Sequence, residues 1–335
     1  EIREKISSGQ LKEANDLTQQ YMTGERYNES YVNAGSLSLH IKFPDLHEPE
    51  YKRELYLNTA VSSCSIKDQE NLINVKTYAS CADDLLITEV TSSCRLEFSY
   101  TTDSLLKCRE YEEQGYAGVC GEAPSHVEPN YAYSENPVTY GSGMAFAIVS
   151  KVILCEKQKD AGMHLVLATA VTDGFKGFDQ NPETDKKSVV EEAIRKIKKA
   201  EKIRTKELFQ RHLKIYQNLY NRVELNLFED IDRENRPTDV RIKDLKENKT
   251  QDDKGLYSLL FQYGRYLMIC SSRNNTQDSQ PANLQGIWCE EIRPAWSCNF
   301  TVNINPEMNY WMAGPAALPE CEIPLIRMVT EIRRT

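Results

Sequence analysis

The sequence contains no apolar stretch of the roughly 18 to 20 residues that a membrane-spanning helix needs. It also lacks a stripe of clustered Lys and Arg, and its net charge is −9, which argues against a phosphate-binding surface for nucleic acid. The one basic run, at residues 186–206, is interleaved with Glu and is typical of a solvated helix face. We therefore expect neither a nucleic-acid partner nor a membrane partner.

The ten cysteines form no Cys-x-x-Cys pair, and the five histidines are not spaced as metal ligands. Several cysteines lie in apolar strand or helix patterns, where cysteine behaves as a small buried hydrophobe. We expect reduced thiols in a cytoplasmic protein. Secretion stays open as an alternative, because the chain begins at Glu1 rather than at methionine.

The first half of the chain has the period of β-strands. With 335 residues, 40% of them hydrophobic, the chain is long enough for two domains. A helical spacing predicts a helix over residues 2–22. The segment 111–143, rich in Gly, Pro, Ser and Asn, predicts a long excursion between strands, either a loop or an irregular hairpin. Strand-like alternation occurs at residues 37–43, 54–61, 72–79, 84–91, 94–101, 144–155 and 163–172. Short strands with polar connections predict a β-sandwich.

From residue 185 onward the apolar period becomes helical. Val189, Ala193, Ile197 and Ala200 fit one helix stripe, and a second helix is predicted over 206–220. The charged segment 230–250 contains a proline and predicts an exposed crossing, that is, a solvent-exposed connecting segment. A further long helix with a buried stripe is predicted from Leu256, Leu259, Leu260, Tyr263, Leu267 and Cys270.

The segment 299–311 alternates polar and apolar residues before a proline. If it is extended, Thr301, Asn303 and Asn305 share one face, while Phe300, Val302 and Ile304 anchor the other. Two carboxamides near the chain's three tryptophans, Trp288, Trp296 and Trp311, suit a site that holds water and a sugar ring. The structural alternative is that Asn305 caps a helix whose first residue is Pro306.

Three further segments extend this pattern into a longer motif. Residues 280–288 read Gln-Pro-Ala-Asn-Leu-Gln-Gly-Ile-Trp, 294–296 read Pro-Ala-Trp, and 301–311 read Thr-Val-Asn-Ile-Asn-Pro-Glu-Met-Asn-Tyr-Trp. The motif resembles the signature of glycoside hydrolase family 95, which contains inverting α-L-fucosidases and related α-L-galactosidases. Weaker matches lie upstream, at Tyr51–Leu55, Thr169–Phe175 and Arg211–Tyr216. The resemblance covers nearly the whole chain.

The resemblance implies a multidomain β + α protein. The expected parts are a supersandwich-like β-sandwich domain over residues 1–180, a helical linker over 181–235, and the first helices of an (α/α)6 catalytic barrel over 236–335. The resemblance also implies an oligosaccharide or glycan substrate and no cofactor or metal. It implies no oligomeric state.

The implied chemistry is removal of a terminal α-L-fucose with inversion. In the family a glutamic acid protonates the leaving oxygen, and an aspartate works with two asparagines, here Asn303 and Asn305, to orient the attacking water. A carboxamide accepts no proton at neutral pH, so these residues would position water through their carbonyl oxygens. The substrate-binding residues implied are Thr301, Trp296, Trp288, Asn283 and Trp311.

The general acid and base of the family lie beyond the motif, so we expect this polypeptide alone to have no useful hydrolase activity. Thr301 stands where some family fucosidases carry histidine, which leaves room for the C6 hydroxyl of L-galactose and makes α-L-galactosidase an alternative. The sequence is also compatible with a non-catalytic carbohydrate-binding or assembly module, and with a related barrel hydrolase or phosphorylase of another sugar specificity.

Overall fold

The computed structural model describes residues 1–22, 28–42, 46–158, 162–227, 235–247, 253–274, 276 and 279–334. The strands are β1 (Ser36–Lys42), β2 (Glu50–Tyr56), β3 (Val61–Lys67), β4 (Leu72–Ser80), β5 (Leu85–Ser92), β6 (Glu97–Asp103), β7 (Lys107–Glu113), β8 (Tyr116–Glu122), β9 (His126–Val127), β10 (Val138–Thr139), β11 (Ala145–Lys157) and β12 (Met163–Asp173). The helices are α1 (Ile2–Ser7), α2 (Leu11–Tyr21), α3 (Lys186–Ala200), α4 (Thr205–Tyr220), α5 (Thr238–Glu247), α6 (Lys254–Ser271), α7 (Ile304–Tyr310) and α8 (Ile323–Ile332).

Eight antiparallel strands form the main sheet, in the order β2-β3-β4-β5-β12-β11-β8-β7. Its long central strands β11 and β12 each contain a buried run of six residues, Ala145–Ser150 and Leu165–Ala170, while the edge strands β2 and β7 are rich in charged residues. Charged side chains on an edge disfavour pairing with another chain. Strands β1 and β6 make a separate antiparallel ribbon, and β9 pairs with β10.

Both faces of the main sheet are covered. On one face Leu39, Ile41 and Phe98 of the β1–β6 ribbon pack against strands β4, β5 and β12. On the other face lies α3, whose stripe of Val189, Val190, Ala193, Ile197 and Ala200 is buried against the sheet. The prediction of a large β domain joined to helices is therefore confirmed, and the helical stripe from residue 189 falls on the buried face as predicted.

Helix α4 is fixed to the turn between β2 and β3 through three backbone carbonyls of that turn. Nε2 of His212 lies 2.7 Å from the oxygen of Thr59, and the hydroxyl of Tyr216 donates to the oxygen of Leu57 at 2.5 Å. Nε2 of Gln217 donates to the oxygen of Asn58 at 3.0 Å. These contacts join the helical part of the chain to the edge of the sheet.

Several local predictions were wrong. The predicted strand 54–61 contains the turn 57–60 that separates β2 from β3. The segment 111–143, predicted as a loop or an irregular hairpin, contains the end of β7, strand β8 and the short β9–β10 pair, so the hairpin alternative describes its first part and the loop alternative is wrong there. The predicted helix 2–22 is divided at Gly9, whose φ of 79° is a left-handed conformation that glycine adopts without steric cost. Phe43 of the first predicted strand lies outside the described residues.

The buried face of helix α6 is not the one that the apolar stripe predicted. Helix α6 buries Gly255, Arg265, Met268 and Ile269, whereas Leu260 of the predicted stripe is 67% exposed.

The predicted crossing at 230–250 contains helix α5, and the rest of that segment lies partly outside the described residues. None of the described helices is long and apolar enough to cross a bilayer. The (α/α)6 barrel stays a prediction.

Candidate functional site

The loop that follows α6 is fastened to α7 at one buried point. The hydroxyl of Tyr310 donates to Oγ of Ser272 at 2.7 Å and accepts the backbone N–H of Ala282 at 2.8 Å. Oγ of Ser272 donates in turn to the backbone oxygen of Cys321 at 2.8 Å. All four residues are buried, so this chain of hydrogen bonds fixes the start of the motif segment against both α7 and the turn before α8.

Asn283 supports the motif loop from within. Its side chain is 0% exposed, and its Oδ1 accepts from the backbone N–H of Gln285 at 2.9 Å and from Sγ of Cys298 at 3.3 Å. Its backbone exchanges hydrogen bonds with Gly286 in both directions, at 2.9 and 3.0 Å. Its Nδ2 is buried and has no protein partner among the described residues. The structure therefore places this predicted substrate-binding residue inside the loop that carries Trp288.

The predicted strand through residue 305 is wrong, because α7 begins at Ile304. Asn303 takes the N-cap position without a side-chain cap, and Pro306 is the third helical residue, where the first turn requires no N–H donor. The predicted cap at Asn305 is therefore also wrong. Val302 and Ile304 are 57% and 51% exposed and anchor no core.

The structure nevertheless brings the two carboxamides together. Nδ2 of Asn305 donates to Oδ1 of Asn303 at 3.4 Å, with Asn303 exposed and Asn305 half-buried. The hydroxyl of Thr301 bonds instead to Oδ1 of Asn299. Two amides within reach of one another can offer a carbonyl oxygen and an N–H group to a single water or hydroxyl.

The three tryptophans are exposed at 47% for Trp288, 68% for Trp296 and 63% for Trp311. The ring of Trp288 lies against Gly286, where an added Cβ would come within 2.6 Å of the ring. The ring of Trp296 lies 5.8 Å, centroid to centroid, from the ring of Tyr131 in the β domain. Exposed indole rings of this kind can bind the apolar face of a sugar.

Trp296, Ser297 and Cys298 form a left-handed turn with φ of 55°, 56° and 45°. Side chains other than glycine occupy this region at a cost of order 1 kcal/mol per residue, so neighbouring contacts must hold the turn. The N–H of Ser297 donates to the oxygen of Pro294 at 3.0 Å, and the N–H of Tyr31 donates to the oxygen of Ser297 at 2.9 Å. Residues of the β domain thus help to set the direction of Trp296.

Arg293, which links this loop to the β domain, was not identified from the sequence. Its guanidinium donates to the backbone oxygens of Glu128, Pro129 and Ala132 at 2.9, 2.5 and 2.9 Å. The signal available in the sequence was weak, since one arginine in a loop has no periodicity and its acceptors lie about 160 residues earlier.

Cys298, beside the site, is unsuited to nucleophilic catalysis. Burial raises the pKa of Cys298 to about 11, and the neighbouring Cys289 adds to the shift, so the thiol stays protonated near neutral pH. All ten cysteines are free thiols. Within the described part of the chain, no group of three His, Cys, Asp or Glu side chains is arranged to hold a metal ion.

Comparisons with known proteins agree with this division into a β part and a helical part. Residues 1–169 match the family model of the glycosyl hydrolase family 65 N-terminal domain, and residues 204–335 match that of the glycosyl hydrolase family 95 catalytic domain. The second match includes α4 and the whole candidate site.

Curated relatives carry fucosidase names. The chain is 31% identical over 327 residues to Alpha-L-fucosidase 2 of Arabidopsis thaliana, an alignment covering 89% of this chain and 38% of the relative. It is 26% identical to "Probable alpha-fucosidase A" of Aspergillus niger, covering 84% of this chain and 35% of the relative. The corresponding protein of Aspergillus oryzae is 34% identical over 49% of this chain and 21% of its own length. The chain thus spans well under half the length of these relatives.

A solved structure named as a kojibiose phosphorylase from human microbiome aligns with a TM-score of 0.47 and 12% identity, over 71% of this chain and 29% of that chain. This likeness is too low to carry an argument. The family models and the fucosidase relatives define the class as a glycoside hydrolase. The chain belongs to glycoside hydrolase family 95, which confirms the family predicted from the 280–311 motif.

Proposed function

We propose that the protein to which this chain belongs is an exo-acting, inverting α-L-fucosidase that removes terminal α-L-fucose from oligosaccharides or glycans. In this proposal Asn303 and Asn305 position the attacking water. The observation that carries it is the contact between the two side-chain amides at the start of α7, within the region that matches the family 95 catalytic domain.

The amides supply position and polarity but no proton acceptor, so the reaction also needs a carboxylic acid and a carboxylate base. Inversion places these two groups roughly 6.5 to 9.5 Å apart, with the water between the base and the sugar. We propose that both come from outside the 335 residues, from later helices of an (α/α)6 barrel. Exposed apolar side chains on α6 and α8, including Leu260, Ile326 and Val329, support further helices packing there.

Two experiments test this proposal. Hydrolysis of an aryl α-L-fucoside by the full-length protein, followed by proton NMR, should show β-L-fucose as the first product. First release of α-L-fucose would contradict inversion, and the absence of any hydrolysis would contradict the activity. The 335-residue chain assayed alone should be inactive, and turnover comparable with that of ordinary glycosidases would place the acid and base within it.

A second candidate, α-L-galactosidase, is favoured by one observation at residue 301. Threonine is small and half-buried there, and its hydroxyl already bonds to Asn299. In this proposal a side chain of that size accommodates the C6 hydroxyl of L-galactose, although a pocket that only tolerates a hydroxyl discriminates weakly. Comparing kcat/KM for the two aryl glycosides in the wild type and in Thr301→His decides between them. A preference unchanged by the substitution would remove Thr301 from substrate selection.

A further inference from the structure

We propose that Tyr131 of the β domain and Trp296 of the catalytic segment form one aromatic platform that binds a sugar unit of the glycan other than the fucose removed. The proposal rests on the proposed function for the identity of the glycan. It adds a binding residue from the β domain to a site otherwise built from residues 283–311.

The two rings are in contact and open to solvent. Their centroids lie 5.8 Å apart with an interplanar angle of 54°, and the side chains are 63% exposed at Tyr131 and 68% exposed at Trp296. Folding usually buries rings of this size, so a pair left exposed where the β domain meets the catalytic segment presents an apolar surface to solvent. The axial C–H face of a pyranose ring suits such a surface.

Contacts within the protein hold the platform in place. The β9–β10 pair closes the loop 128–137. The carboxylate of Glu29 binds strand β9, where the loop begins: it lies 2.6 Å from Nδ1 of His126 and accepts the backbone N–H of Val127 at 3.0 Å. The guanidinium of Arg293 then fixes the loop through three backbone oxygens, those of Glu128, Pro129 and Ala132. A surface ordered in advance loses little conformational entropy on binding.

The strained backbone beneath Trp296 supports a role in binding. Three successive residues between Pro294 and Asn299 have a left-handed backbone conformation, which costs conformational free energy. The first of them, Trp296, carries the indole ring that contacts Tyr131. Local strain of this kind persists where surrounding contacts hold it, and it gathers at ligand sites.

The openness of the platform indicates which sugar it takes. An exo-acting site surrounds the terminal sugar that it cleaves, since small-molecule pockets bury most of the ligand surface. Rings that are about two-thirds exposed enclose no sugar, so they suit a unit on the leaving-group side of the cleaved bond.

The first test compares two fucosyl donors in the full-length protein. α-L-Fucosyl fluoride has no sugar on its leaving side, whereas 2′-fucosyllactose has two. We expect Tyr131→Ala to lower the ratio of kcat/KM for 2′-fucosyllactose to kcat/KM for the fluoride about tenfold. Tyr131→Phe should retain the wild-type ratio. Tyr133→Ala is the matched control, because Tyr133 lies in the same loop, is 93% exposed, and should leave both rates unchanged.

The second test needs no hydrolysis. Titration of the full-length protein with lactose, which carries no fucose, followed by tryptophan fluorescence, should show binding that Tyr131→Ala weakens about tenfold and that Asn303→Ala leaves unchanged. Loss of binding in Tyr131→Ala, with no hydrolysis by the full-length protein, would retain the platform and remove the fucosidase assignment. Normal hydrolysis with an unchanged substrate ratio and no binding of lactose would overturn the platform and leave the fucosidase assignment standing.

Discussion

The side-chain N–H of Asn305 donates to the side-chain oxygen of Asn303 across 3.4 Å, at the point where α7 begins. At this length the hydrogen bond is weak, so a water can insert or compete for the same oxygen at small cost. The helix start, and not a strand face, is what holds the two amides side by side.

This contact predicts the effect of removing either amide from the full-length protein. Asn303→Ala and Asn305→Ala should each lower kcat on an aryl α-L-fucoside by about 100-fold, because a misplaced nucleophile costs roughly that factor. The melting temperature should hardly change, since the pair lies at the surface of a helix end. Asn221→Ala, at the exposed end of α4, is the control that should retain full activity. Full activity in both site variants would exclude the water-positioning role.

Gly286 sets the position of Trp288. Its φ is 75°, and an alanine Cβ would come within 2.6 Å of the Trp288 ring. We expect Gly286→Ala to reduce the free energy of unfolding by about 1 to 2 kcal/mol and to shift the tryptophan emission maximum. Gly141→Ala, where an added Cβ meets no atom within 4 Å, should change stability by less than about 0.5 kcal/mol and leave emission unaltered. Equal effects of the two substitutions would contradict this role.

Arg241 and Asp253 form a buried bidentate ion pair that joins α5 to the start of α6. Nε of Arg241 donates to Oδ2 of Asp253 at 3.0 Å, and its Nη2 donates to Oδ1 at 2.7 Å. The residues are only 6% and 7% exposed, so loss of Arg241 removes a charged partner from the buried carboxylate of Asp253. Arg241→Met should cost about 3 to 5 kcal/mol in urea unfolding followed by circular dichroism. Arg195→Met, which breaks the exposed pair with Glu192, should cost less than about 1 kcal/mol. Similar unfolding midpoints for the two variants would refute the argument.

His212 makes the fold sensitive to acid. Burial lowers the pKa of its imidazole, which is held between the Tyr78 and Tyr216 rings. Protonation therefore favours the unfolded chain, so this contribution to stability is complete above the ordinary histidine pKa of about 6.5 and is lost as pH falls below it.

His212→Phe keeps a ring in that position and removes the titration. Between pH 7.5 and pH 5.5 its melting temperature should fall less than that of the wild type, although the lost hydrogen bond to Thr59 lowers stability at both values. Parallel decreases in the two proteins would show that His212 does not titrate in this range.

Periodicity predicted the elements whose burial is local and regular. The stripe from Val189 to Ala200 predicted α3 and its buried face, and alternation in 144–155 and 163–172 predicted the central strands β11 and β12. Strand β7 escaped prediction because it is an edge strand, whose charged residues carry no apolar alternation. The buried face of α6 also escaped, because its core residue Arg265 reads as polar in the sequence yet donates to backbone oxygens of Leu219 and Tyr220.

The amino-acid sequence alone determined the family, through the 280–311 motif, and the order of a β part followed by helices, because side-chain period is a local property. Tertiary structure decided that Asn303 and Asn305 meet at a helix start, that Asn283 lies inside the loop, and that Arg293 and Tyr131 join the β domain to Trp296. The contact between Asn303 and Asn305 spans only two residues, but it depends on a helix start at Ile304 that the alternating pattern does not indicate. The contacts of Arg293 and Tyr131 join segments about 160 residues apart, and no pattern along the chain encodes the distance between two such segments once it has folded.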